Sequence, residues 1–205
     1  MIRAFVAVPV EDPVVKRRLA GARSLVPPLP GLRWIPESQL HFTLKFLGEI
    51  EEERVAAAKA ATSAAIVAIA AARAVTESPV PAAPFRLGLE GLGAFPSRGS
   101  ARVLWAGCGD GADALSALAS AVEEAFTAAG FRREERPFSP HLTLARVKDP
   151  DTGRRLARAL ETVPPEPFGV VSVSSLVLFR SELTSRGADH SELLRVAIES
   201  SAAPQ

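Results

Sequence analysis

The sequence predicts an α+β chain with mixed or antiparallel sheets. Segments with strand character alternate with helical ones along the whole length, and several joining segments are too short for the crossovers that parallel neighbours require. With 205 residues, 47% apolar and 23% charged, the chain can bury one substantial core or two small lobes that share an interface. The 24 Lys and Arg against 23 Asp and Glu leave a formal charge of +1. The totals therefore demand no nucleic acid, membrane surface or acidic partner, and any basic site must be local.

A strand is expected over residues 1–10, because Glu11 and Asp12 interrupt the apolar run too early for a secretory leader. Asp12-Pro13 reads as a helix cap followed by proline in the first turn, opening a helix to about Leu25 that the prolines of 26–31 end. An extended piece over 32–35 leads into a strand over 40–47, closed by Gly48. An alanine-rich helix follows between Glu51 and Thr76; its uncharged run, 60–72, falls short of the ~20 residues that span a bilayer. A proline-rich break at 78–84 precedes a strand at 85–89, a Gly/Pro/Ser turn region at 91–100, a strand at 102–108 and a helix at 112–129. A strand at 141–147 and a helix at 152–162 come next. The chain then ends in an antiparallel pair, 170–179 and 193–199, around a polar turn at 181–189. Lone Cys108 can form neither an internal disulfide nor a cysteine zinc site, reads as a small buried hydrophobe and favours a cytoplasmic setting.

The chemistry lies in an internal repeat. His41-Phe42-Thr43-Leu44-Lys45-Phe46 and His141-Leu142-Thr143-Leu144-Ala145-Arg146 both begin His-x-Thr-Leu, with the histidines 100 residues apart. From the Thr and Leu content, two of the three histidines acquiring both residues by chance has a probability of order 10⁻⁵ to 10⁻⁴. A duplicated packing motif without chemistry is the plain alternative. Strand parity favours chemistry. It puts His41, Thr43 and Lys45 on one face with Phe42, Leu44 and Phe46 on the other, and repeats the pattern with His141 and Thr143 against Leu142 and Leu144. Two imidazoles on polar strand faces can serve as one acid and one base, while the threonine hydroxyls hold an anionic oxygen between them. A phosphodiester suits that cradle, since its hydrolysis needs water activated on one side of phosphorus and a protonated leaving oxygen on the other.

Competing chemistries fit less well. A catalytic zinc takes three protein ligands, yet neither repeat carries a carboxylate and His190 falls in the predicted polar turn, so no metal or cofactor is expected. Gly-x-Ser-x-Gly is absent, and Gly88, Gly91 and Gly93 read as turn residues, not as a nucleotide loop. Between Arg132 and Arg158 eight basic residues face four acidic ones, which suits either a solvated helix face or an RNA-attracting patch.

These motifs resemble the two-histidine (2H) phosphoesterase superfamily, and within it the RNA 2′,3′-cyclic phosphodiesterases also described as 2′-5′ RNA ligases. Arg3-Ala4-Phe5-Val6-Ala7-Val8, Trp34-Ile35-Pro36-Glu37, Leu47-Gly48-Glu49, Arg102-Val103-Leu104-Trp105, Pro140 before the second motif and Phe179-Arg180-Ser181-Glu182-Leu183 resemble that family's blocks in its order. The resemblance implies one bilobal domain over 1–205, with two pseudo-symmetric lobes, each an antiparallel sheet flanked by helices, enclosing a cleft. It implies metal-independent opening of 2′,3′-cyclic phosphates to 2′-phosphomonoesters, with RNA ends or small cyclic nucleotides as substrate, no membrane, and a monomer as sufficient. His41 would be the general acid and His141 the general base, although the motif itself fixes only the pair. Thr43 and Thr143 would hold the nonbridging oxygens. Arg146 would contact phosphate or base, parity placing it with Leu142 and Leu144 so that it must reach around a strand end. The alternatives are a noncatalytic RNA-end binding module, and the same chemistry on 2′-5′ linked oligonucleotides, a cyclic phosphate of ADP-ribose, or in the ligation direction. Two departures stand out: His190 occupies a position where relatives often look aromatic, and the alanine-rich helix carries less charge than its counterparts.

Overall fold

The computed structural model describes residues 1–75, 84–96, 99–184 and 187–198. The proline-rich break, but for Pro84, and the tip of the polar turn at 185–186 lie outside these. In chain order the elements are β1 (Ile2–Pro9), α1 (Pro13–Gly21), β2 (Leu32–Trp34), β3 (His41–Ile50), α2 (Val55–Val75), β4 (Phe85–Phe95), β5 (Val103–Cys108), α3 (Ala112–Ala128), β6 (His141–Val147), α4 (Pro150–Leu160), β7 (Pro167–Val173), β8 (Ser175–Thr184) and β9 (Gly187–Ala197). They form two antiparallel sheets, ordered β3-β1-β8-β9 and β2-β6-β5-β4-β7. The expected α+β class with antiparallel sheets is what the chain adopts.

The halves correspond strand by strand. Central β1 lies between β3 and β8 as β5 lies between β6 and β4, and β2 is an addition at one edge of the second sheet. One apolar core, including Val6, Val8, Phe42 and Leu178 from the first sheet and Leu104, Ala106, Leu142 and Val171 from the second, runs through both halves. At the helix starts the sequence signals act as expected: the Asp12 carboxylate accepts from the backbone N–H of Val14 and Val15, and Asp149 accepts from Thr152. The window Glu52–Ala71 at α2 is long and apolar enough to cross a membrane by length and composition. In the fold α2 packs on α3, β8 and β9, burying Ala58, Ala61, Thr62, Ala65 and Ile69.

Three expectations need correction. The first helix ends at Gly21 and continues only as a 3-10 turn over Ala22–Ser24. The turn region at 91–100 is strand as far as Phe95, because pairing with β5 carries β4 on despite its glycines. The strand expected at 170–179 is two, β7 and β8, which belong to different sheets; the 181–189 turn is mostly ladder, with Ser181 opposite His190 and Glu182 opposite Asp189. Polar composition suggested a turn there, but pairing with a neighbouring strand decides backbone conformation.

Candidate active site

Both His-x-Thr motifs open a strand beside the centre of its sheet. In the first sheet Pro9 pairs with His41, Val8 with Phe42 and Ala7 with Thr43. In the second, Gly107 pairs with His141, Ala106 with Leu142 and Trp105 with Thr143. Phe42, Val8, Leu142 and Ala106 are fully buried, so the histidines and threonines take the opposite face, as parity predicts to that point.

Beyond the threonines the parity prediction fails in both halves for one reason. The register slips by one residue at Leu44 and again at Leu144, so that Lys45 pairs with Val6 and Ala145 with Leu104. Each leucine is the extra residue of a β-bulge, and each bulge exchanges the faces of the residues after it. Lys45 therefore turns into the protein, where its ammonium donates to both Glu123 carboxylate oxygens at 2.8 and 2.7 Å and to the Arg132 carbonyl at 3.0 Å. Phe46, expected in the core, is instead 64% exposed. Arg146 lies on the histidine face directly and does not reach around a strand end. Phe46 and Arg146 are counterparts in the two halves.

The two imidazoles are held alike. His41 Nδ1–H donates to the Gln39 carbonyl and His141 Nδ1–H to the Ser139 carbonyl, each at 2.7 Å and each two residues upstream. A carbonyl can only accept, so each neutral ring carries its hydrogen on Nδ1 and keeps its lone pair on Nε2. Neither threonine hydroxyl has a hydrogen-bond partner among the described residues.

Aromatic rings set the angle of each imidazole. His41 stacks on Phe5 with centroids 4.9 Å apart, and Phe5 stacks on Phe179 at 5.2 Å. With Ala7 and Val177 these rings form a second, small apolar cluster on the histidine face of the first sheet. His141 meets the Phe95 ring edge-on at 5.0 Å, and Phe95 packs on Trp105 at 5.2 Å. Gly93 makes this possible, since a Cβ there would overlap the Trp105 indole. His190 joins the site although its polar surroundings in sequence predict a turn. It lies on β9, contacts Phe5 edge-on at 4.9 Å and His41 at 5.6 Å, and has its Nδ1 buried and unpartnered. The only available signal for it was the aromatic character of that position in the resembled family.

Burial dominates the electrostatics. It lowers the pKa of His41 to about 4, against the raising effect of the Gln39 hydrogen bond, with His190 and the Arg146 guanidinium lowering it further. Burial also lowers His141 and His190, and Arg146 acts on His190 too. Arg146 belongs to the second sheet while His41 and His190 belong to the first, so the two histidine faces look onto a common space. Among the described residues no group of three or more His, Cys, Asp and Glu side chains is arranged to hold a metal ion.

Two pseudo-symmetric antiparallel halves, each offering an imidazole to a shared space, define a two-histidine phosphoesterase. A family model described as the 2′-5′ RNA ligase superfamily matches residues 10–184, and the chain belongs to that superfamily. The protein named RNA 2′,3′-cyclic phosphodiesterase from Thermus thermophilus is 34% identical over 202 residues, covering 96% of this chain and 90% of its own. That of Archaeoglobus fulgidus is 32% identical over 192 residues, 94% of this chain and 98% of its own. Among solved structures, TT0787 of Thermus thermophilus superposes with a TM-score of 0.73 at 31% identity, over 98% of this chain and all of that one. E. coli LigT in its apo form shares the fold, with a TM-score of 0.68 at 24% identity over 96% of each chain.

Proposed function

We propose that this chain is a metal-independent RNA 2′,3′-cyclic phosphodiesterase, acting as one bilobal domain that leaves a 2′-phosphomonoester. The observation that carries the reading is the duplicated imidazole, each ring holding Nδ1–H on a carbonyl and keeping Nε2 for chemistry. The names and coverage of the relatives support the same substrate class.

In this reading His141 Nε2 removes a proton from water, whose oxygen attacks phosphorus. The P–O3′ bond breaks in line with the attack, and His41 Nε2–H delivers its proton to the leaving 3′ oxygen. Thr43 and Thr143 donate their hydroxyls to the nonbridging oxygens, and Arg146 offsets the charge that builds on them. His41, with its pKa near 4, is neutral in the free protein at pH 7. The phosphate anion raises that pKa on binding, because an opposite charge within hydrogen-bonding distance favours the imidazolium.

The test is hydrolysis of a short RNA ending in a 2′,3′-cyclic phosphate, in excess EDTA, by the wild type, His41→Ala and His141→Ala, with the product phosphate located. Chelator-resistant conversion to the 2′-phosphate, reduced by about 10²-fold or more in each variant, is the expected result. Wild-type protein that binds this RNA without turning it over would instead identify a noncatalytic RNA-end binding module.

A further inference from the structure

We propose that Arg33, with Arg146 shared between the reacting phosphate and its neighbour, forms a second anion subsite beside the histidines, which takes the phosphodiester linking the cyclic-ended nucleotide to its neighbour. The inference rests on the cyclic phosphodiesterase reading and narrows its substrate to an oligonucleotide end, in preference to a free cyclic mononucleotide.

The two arginines face each other directly in the antiparallel pairing of β2 with β6. Residues so opposed share a sheet face with Cβ atoms about 5 Å apart, and like charges in that position destabilise the sheet. Above and below them, Leu32 pairs with Val147 and Trp34 with Ala145, and the burial of Leu32 and Ala145 marks the core side. Both guanidinium groups therefore lie on the histidine face. Neither has an ion-pair partner among the described residues, and Arg33 is exposed. What sets this pair apart is that, among the described residues, two cations stand directly opposed across a ladder with no anion between them, an arrangement that suits an anion brought by a ligand. Guanidinium forks match phosphate oxygens in pairs, which makes a phosphodiester the fitting anion.

The subsite is also asymmetric where the histidines are symmetric. β2 has no counterpart in the first sheet among the described residues, and the first sheet's equivalent of Arg146 is the exposed ring of Phe46. Two alike imidazoles cannot by themselves tell which way a strand runs from the cyclic phosphate. An arginine pair on one side only supplies that direction.

Initial rates on adenosine 2′,3′-cyclic phosphate and on a short RNA with the same cyclic end separate the possibilities, using the wild type, Arg33→Gln and Arg33→Lys. Arg33→Gln is expected to lower kcat/KM on the RNA by about tenfold, chiefly through KM, with at least a roughly fivefold smaller loss on the mononucleotide. Arg33→Lys should recover part of the loss, and removing one opposed charge should leave the melting temperature unchanged or higher. Equal losses on both substrates, or none on either, would overturn the subsite. Binding of the 2′-phosphate product RNA by fluorescence anisotropy is measured alongside. If the wild type turns over neither substrate, the phosphodiesterase reading fails, while the subsite stands or falls on whether Arg33→Gln weakens that binding and flattens its salt dependence.

Discussion

The ring of His190 stands edge-on to that of His41, with centroids 5.6 Å apart and planes at 81°, and both rings rest against Phe5. His190 therefore walls one side of a proposed catalytic imidazole and keeps water from it. Burial is the main cause of the depressed His41 pKa, and the charge of His190 adds to it. Replacing His190 by alanine removes its electrostatic effect and part of the burial, so the His41 pKa should rise from about 4 in the direction of the ordinary 6.5. An NMR titration of the His41 imidazole in His190→Ala reads this directly. An unchanged pKa would mean that the wall is made by Phe5 and Phe179 alone.

Stability should fall in mild acid for the same reason. His41 has an unfolded value of 6.5 and a folded value of about 4, so between these pH values the unfolded chain binds more protons than the folded one. Its contribution is present above pH 6.5 and is lost as the pH falls through that window, by up to about 3 kcal/mol. His141 and His190 shift the same way and add to the effect. Urea denaturation at about pH 7.5 and about pH 5 should show a smaller acid loss in His41→Gln than in the wild type. Parallel losses would exclude His41 as a source.

Lys45 and Glu123 hold the halves together. The lysine side chain is 2% exposed and the glutamate side chain 18%, and the Arg132 carbonyl that completes the site precedes the second histidine strand. Removing one partner leaves a charge in a place built for two. Glu123→Gln or Lys45→Met should each cost about 3–5 kcal/mol, and Lys45→Met with Glu123→Leu should cost less than the two single changes added. Denaturant melts of the three variants measure this coupling, and strict additivity would contradict it.

How much of this was legible beforehand depended on how local the cause is. Asp12 and Asp149 cap their helices through their own side chains, and His41 and Thr43 reach their face through two residues of strand pleat. The faces of Lys45, Phe46 and Arg146 depend on bulges at Leu44 and Leu144, and a bulge belongs to a pair of strands, so no single strand announces it. The same distinction explains His190. Residues 181–189 look like a turn by composition, but most of them are held extended by the ladder between β8 and β9.

Gly93 shows how a residue far from the chemistry in sequence can act on it. A methyl group there would displace the Trp105 indole, which packs on Phe95, the ring that meets His141 edge-on. Gly93→Ala should lower kcat by about tenfold or more, since small errors in placing a catalytic group are costly. Circular dichroism should report a folded protein. Full activity would show that Trp105 can be displaced without moving His141.

The pH dependence of kcat/KM tests the pair as a pair. In the proposed mechanism the free enzyme holds one imidazole neutral and one protonated, so the profile should be a bell whose limbs belong to the coupled histidines. Burial lowers His41 to about 4 and moves His141 below 6.5 as well. Above neutrality both rings are neutral, and the form with the acid protonated becomes scarcer with each unit of pH. The optimum should therefore lie on the acid side of 6.5, with the rate falling as the pH rises through about 7. In His190→Ala the acid limb should move upward along with the His41 pKa. A flat profile, or one rising through about pH 8, would be incompatible with two depressed imidazoles sharing the proton transfers.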